Sequence, residues 1–134
     1  MQQDQNERLV RAVYAAIGSG DVPAVLGMLA EHVEIEFPGP PEIPFAGHYH
    51  GHDGFVQFAT ALGNSIEWDT RKLEPREFIA RDDQVVVLGG EQLTAKPTGR
   101  SWQTDWAMIW TVRNGRVVRL REFHQTDAIA AAYR

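Results

Sequence analysis

Residues 102–124, WQTDWAMIWTVRNGRVVRLREFH, decide how this chain is read. Two alternating runs flank Asn114-Gly115, a pair that tolerates positive φ at both positions and so favours a two-residue hairpin turn. A turn there sets the register, and side chains two apart then share a face of each strand. Trp102, Thr104, Trp106, Met108 and Trp110 share one face of the first strand, with Gln103, Asp105 and Thr111 opposite; Leu120, Glu122 and His124 share one face of the second. A carboxylate and an imidazole beside several indoles predict a lined pocket. The same indoles also suit a packed core or a subunit interface, where they bury large apolar areas.

Upstream of the hairpin, the apolar period changes. Leu9, Val10, Val13 and Ile17 recur at helical spacing, and Gly18-Ser19-Gly20 ends that helix. Asp21 as N-cap and Pro23 in the first turn open a short second helix whose buried face is Val25, Leu26 and Leu29. Val33, Ile35 and Phe37 alternate with Glu34 and Glu36, a half-buried strand stopped by Pro38-Gly39-Pro40-Pro41. The stretch to Gly51 reads as a loop, and Phe55, Phe58, Ala59 and Leu62 restore helical spacing. From Ile66 the chain reads as strands and turns, over about 66–80, 85–94, 102–112 and 117–124. The order is α+β: one domain over 1–134 in which a curved antiparallel sheet wraps three N-terminal helices into a cone. A hollow at the open end of such a cone is where a small ligand binds.

Composition narrows the partners. Thirteen Lys and Arg against 18 Asp and Glu leave a formal charge of -5 without a basic run, which argues against nucleic acid. The absence of cysteine excludes disulfides and thiolate catalysis. The polar, acidic opening Met1–Glu7 lacks the pattern of a signal peptide, and no segment approaches the roughly 18 apolar residues of a membrane span; a cytoplasmic protein is expected. No nucleophile elbow, phosphate loop or dinucleotide fingerprint is present, so the expected chemistry needs no cofactor.

The order of helix, Gly20-Asp21, short helix and a strand ending Phe37-Pro38-Gly39, followed by Phe45-Ala46-Gly47-His48-Tyr49-His50-Gly51, resembles the SnoaL-like members of the nuclear transport factor superfamily. Asn114-Gly115-Arg116-Val117 and Arg121-Glu122-Phe123 extend the resemblance over essentially the whole chain. It implies the cone-shaped fold and a frequent homodimer built on the outer sheet face, but not one reaction, because the superfamily includes ketosteroid isomerases, polyketide cyclases, limonene-epoxide hydrolases and non-catalytic members. Compared position by position, Phe37 stands where ketosteroid isomerase carries its aspartate base, and Tyr14 lies one residue out of phase with that enzyme's tyrosine. Glu91 and Glu122 match the two carboxylate positions of limonene-epoxide hydrolase, while Gly89 takes the place of its arginine.

Two carboxylates facing one apolar cavity cannot both ionise freely, so at least one pKa should rise towards neutrality. The expected catalytic set is therefore Glu122 as principal acid or base, Glu91 as its electrostatic partner and His124 as proton relay. Tyr14, Phe37, Trp106 and Met108 are the expected walls, with His48 at the pocket mouth. A surface ion pair between Glu122 and Arg119 or Arg121 is the bland alternative. His48, His50 and His52 alternate like metal ligands, yet His52-Asp53 also suits a helix start, and no metal is expected. The function expected is cofactor-independent acid–base chemistry on a small apolar or cyclic metabolite; the alternative is a non-catalytic binding module with the same pocket.

Overall fold

The computed structural model describes residues 2–134. Helix α1 (Gln2–Gly18) buries Val10 and Val13 of the expected stripe, with Leu9 and Ile17 half-buried, and also buries Asn6 and Ala16. Gly20, at φ +70°, turns the chain into α2 (Val22–Met28), whose first turn is capped by Asp21 accepting from the Ala24 N–H at 3.1 Å. Strand β1 (Leu29–Phe37) follows at once, and α3 (Gly51–Ser65) brings Phe58 into the core. Strands β3 (Lys72–Arg81), β4 (Gln84–Thr94), β5 (Ser101–Arg113) and β6 (Arg116–His124) form successive antiparallel hairpins. Asn114 and Gly115 both take positive φ, as the hairpin turn requires.

Five features differ from the sequence expectation. Leu29, read as part of the second helix's buried face, is instead the first residue of β1. The segment read as a loop contains a short strand, β2 (Gly47–His50), paired antiparallel with β1. Its side chains are exposed or half-buried, so it carries no apolar alternation to betray it. The strand expected from Ile66 is instead a single bridge at Ile66, a 3₁₀ turn at Trp68–Thr70 and only then β3. A fourth helix, α4 (Thr126–Ala132), closes the chain; seven residues are too few to show a helical period. Finally, the sheet is mixed. Its order is β2-β1-β6-β5-β4-β3, and β1 runs parallel to β6, with Ile35 opposite Leu120 and Glu36 opposite Arg121. Side-chain alternation is the same in either pairing, so strand direction was not legible in the pattern.

The class stands as expected: an α+β roll in which a curved, unclosed sheet packs against helices. Its core includes Val33, Ile35 and Phe37 from β1, Val85 and Val87 from β4, and Trp102, Trp106 and Trp110 from β5. Gly89 has a specific part in this packing. A Cβ there would stand 2.4 Å from the Glu74 carbonyl and 2.7 Å from the Trp106 ring, so glycine is what lets this indole lie across β4. Helix α4 seals one end, burying Ile129, Ala130 and Ala132, and the Tyr133 hydroxyl donates to the Ser65 carbonyl at 3.0 Å.

Candidate functional site

Between the helices and the sheet lies a cavity of about 360 Å³, walled by apolar side chains that include Val13, Phe45, Phe55, Leu62 and Leu93. Tyr14 and Asp21 line it from the helical side, and three acid–base groups enter from the sheet: Glu91 from β4, and Glu122 and His124 from β6. Strand parity accounts for the last two. Leu120 and Glu122 are 7% and 6% exposed, whereas Arg119 and Arg121, on the other face, both bind Glu36 of β1. The surface ion pair weighed for Glu122 is thus made by Glu36 instead.

His124 sits between the two carboxylates. Its Nε2 lies 3.0 Å from Glu122 Oε1, its Nδ1 lies 3.8 Å from Glu91 Oε1, and its side chain is 2% exposed. Phe37 stacks on the imidazole at a centroid distance of 4.5 Å. The Trp102 indole N–H donates to Glu91 Oε2 at 2.8 Å, a role that the aromatic stripe alone did not announce. Burial pushes the Glu91 carboxyl above its ordinary range, with His124 and Trp102 pulling it partly back. Burial also disfavours the His124 imidazolium, but the hydrogen bond and charge of Glu122, with the charge of Glu91, outweigh it and raise the imidazole pKa.

These shifts have one sign. Both groups keep a proton to higher pH in the folded protein than in the unfolded chain, so stability must fall as pH rises through the folded values. For His124 the loss begins above its ordinary 6.5. The lowered carboxylates Glu34, Glu36 and Glu42 act on the acid side of their ordinary 4.5, outside that window. The melting temperature should therefore decline as pH is raised above 6.5, and His124→Asn should flatten the decline. A wild-type melting temperature independent of pH in that range would contradict the arrangement.

Tyr14, Phe37, Trp106 and Met108 all line the cavity. The Tyr14 hydroxyl is already committed, donating to Met108 Sδ at 3.0 Å and accepting from the Trp110 indole at 3.1 Å, and burial raises its pKa. His48 is elsewhere. It lies exposed on β2, where its Nε2 and the Nδ1 of His50 approach the two oxygens of Glu34, at 2.5 and 2.8 Å. His52 is turned away to the Leu29 carbonyl at 3.0 Å. Among the described residues, no group of three or more His, Cys, Asp or Glu is placed to hold a metal ion. Val33, Ile35, Ile66 and Leu73 also line the cavity. Their apolar character marked them only as core.

A small α+β roll with an apolar cavity and a buried Glu-His-Glu array is the class that fold and site define. Residues 10–120 match the SnoaL-like domain, and the chain belongs to the SnoaL-like family within the nuclear transport factor 2-like superfamily. A nuclear transport factor 2-like protein from Burkholderia xenovorans superposes with a TM-score of 0.89 at 32% identity, covering 98% of each chain. TerC co-crystallized with polyporic acid superposes with a TM-score of 0.85 at 27% identity, covering 96% of this chain and 98% of TerC. An uncharacterized protein of Mycobacterium tuberculosis is 28% identical over 134 residues, 99% of this chain and 98% of its own length. No helix among the described residues is long and apolar enough to cross a membrane.

Proposed function

We propose that the cavity binds a small, mostly apolar, cyclic or carbonyl-bearing metabolite and moves a proton on it without a cofactor. The observation that carries this reading is the Glu91, His124 and Glu122 array, buried on the sheet side of a mostly apolar hollow. Glu122 is the principal acid or base, Glu91 its electrostatic partner, and His124 the relay between them. A buried array of this kind is costly to fold, and a use in proton transfer gives that cost a purpose. Co-crystallization of TerC with polyporic acid supports a small organic ligand here too. Native mass spectrometry of protein purified from its own host should show retained mass of a few hundred daltons, on the scale of a ligand that fills such a pocket. Protein that stays at the mass of the bare chain, and that protects no compound from its host's small-molecule extract, would count against the proposal.

A binding module without catalysis is the second reading. It is favoured by the internal commitment of Tyr14 to Met108 and Trp110, which leaves that hydroxyl no obvious part in chemistry. The two readings separate on Glu122: its amide variant slows proton transfer in the first and only alters affinity in the second.

The protein as proposed is a cytoplasmic homodimer, one domain of residues 1–134 per subunit. The outer sheet face supports the pairing: Ile79 and Phe123 are 50% and 40% exposed, and half-buried Ile109 shares a ladder row with Ile79 through Val86. A second copy covering that face would remove the apolar patch from water. Sedimentation at micromolar concentration should give twice the 15.1 kDa chain mass, and Phe123→Asp should shift the population to monomer. A wild-type species at the single-chain mass would reject the dimer.

A further inference from the structure

Three buried indoles stand on the concave face of β5, and only two of them have a partner. Trp102 donates to Glu91, and Trp110 donates to Tyr14. The Trp106 N–H is buried with no hydrogen-bond partner, although Trp106 is just 4% exposed. Directly across the ladder from it, at a ring-centroid distance of 6.4 Å, His124 also carries a buried, unpartnered nitrogen, Nδ1. An indole N–H can only donate, and leaving it buried and unpaired costs the fold what a lost hydrogen bond costs. Both residues line the cavity, so what would relieve that cost is an acceptor atom brought by a ligand.

We infer that the ligand is anchored through a neutral acceptor oxygen, a carbonyl, received by the indole N–H of Trp106 at the end of the cavity shared with His124. This rests on the reading of the cavity as a ligand site and adds which atom of the ligand is recognised. The oxygen is neutral because Glu122, 3.0 Å from His124, already balances the imidazole's charge, and an anion brought beside them would be a further, unpaired charge in a buried site. His124 Nδ1 becomes a second donor to that oxygen whenever the imidazole is protonated. Both nitrogens are covered in the structure, so engagement takes a shift of the ring edges that opens them to the cavity.

The test uses three bicyclic probes of one shape: 2-tetralone, which carries a carbonyl; tetralin, which carries none; and tetralin-2-carboxylate, which carries a charge. Calorimetric titration of the whole protein should find 2-tetralone bound about tenfold tighter than tetralin, the scale of one buried hydrogen bond made rather than left open. The carboxylate should bind more weakly than either. Trp106→Phe should erase the advantage of the ketone while tetralin binding persists. Because that variant also changes packing, ¹⁵N-indole NMR of the wild-type protein gives an independent readout. Of the 4 tryptophans, the resonance missing in Trp106→Phe should move downfield with 2-tetralone and not with tetralin. Equal affinity for ketone and hydrocarbon, with that resonance unmoved, overturns the anchoring and leaves the ligand site standing. Failure of all three probes to bind overturns both.

Discussion

Glu122→Gln is expected to lower the rate of proton transfer by about 100-fold or more while leaving the fold intact, the scale of lost general acid–base catalysis. The amide keeps the volume of the carboxylate and an oxygen for His124 Nε2, which now lies 3.0 Å from Glu122 Oε1, but it cannot take up a proton. The change therefore separates chemistry from packing. Exchange of the α-protons of bound 2-tetralone in D₂O, followed by NMR, reads the rate directly. Circular dichroism verifies that the variant is folded. Should Glu122→Gln change affinity alone, with exchange equally fast in both proteins or no faster than in buffer, the binding-module reading prevails. Glu91→Gln should act more mildly. Glu91 is held by Trp102 and stands 3.8 Å from the imidazole, so it influences the charge on His124 rather than bonding to it.

The second large effect is structural. Trp110→Ala should destabilise the protein by about 3–5 kcal/mol, the range for removing a buried large aromatic side chain. Trp110 is 2% exposed, packs edge-on against Tyr14 at 5.4 Å and gives the Tyr14 hydroxyl its donor. Removing it leaves a void beside the cavity and an under-bonded buried oxygen. For a chain of this size the melting temperature should fall by roughly 10 °C or more, with Trp110→Phe falling by less. A Trp110→Ala variant melting within about 3 °C of wild type would show that the packing around Tyr14 relaxes far more than its burial implies.

Much of the site was legible because parity along a strand is local. Once Asn114-Gly115 turns the chain, Glu122 and His124 must share the face of Leu120, and Leu120 has to be inside. Glu91 reached the same cavity through its match to a family position, and β4 places it opposite Thr104, a residue of the same buried stripe. His48 went the other way. Its alternation with His50 says only that the two share a face, and the face they share is the outer one, with Glu34.

What the sequence determined by itself is whatever depends on neighbours a few residues apart: the periods of α1 and α3, the hairpin at Asn114-Gly115, and the inward set of β5 and β6. Tertiary structure alone decided the parallel seam between β1 and β6, the unpatterned edge strand β2, the hold of Trp102 on Glu91 and the solitude of the Trp106 nitrogen. Each of these depends on which distant segment comes to lie alongside. A periodic pattern reports which side of an element is buried, and it carries no label for the partner that buries it.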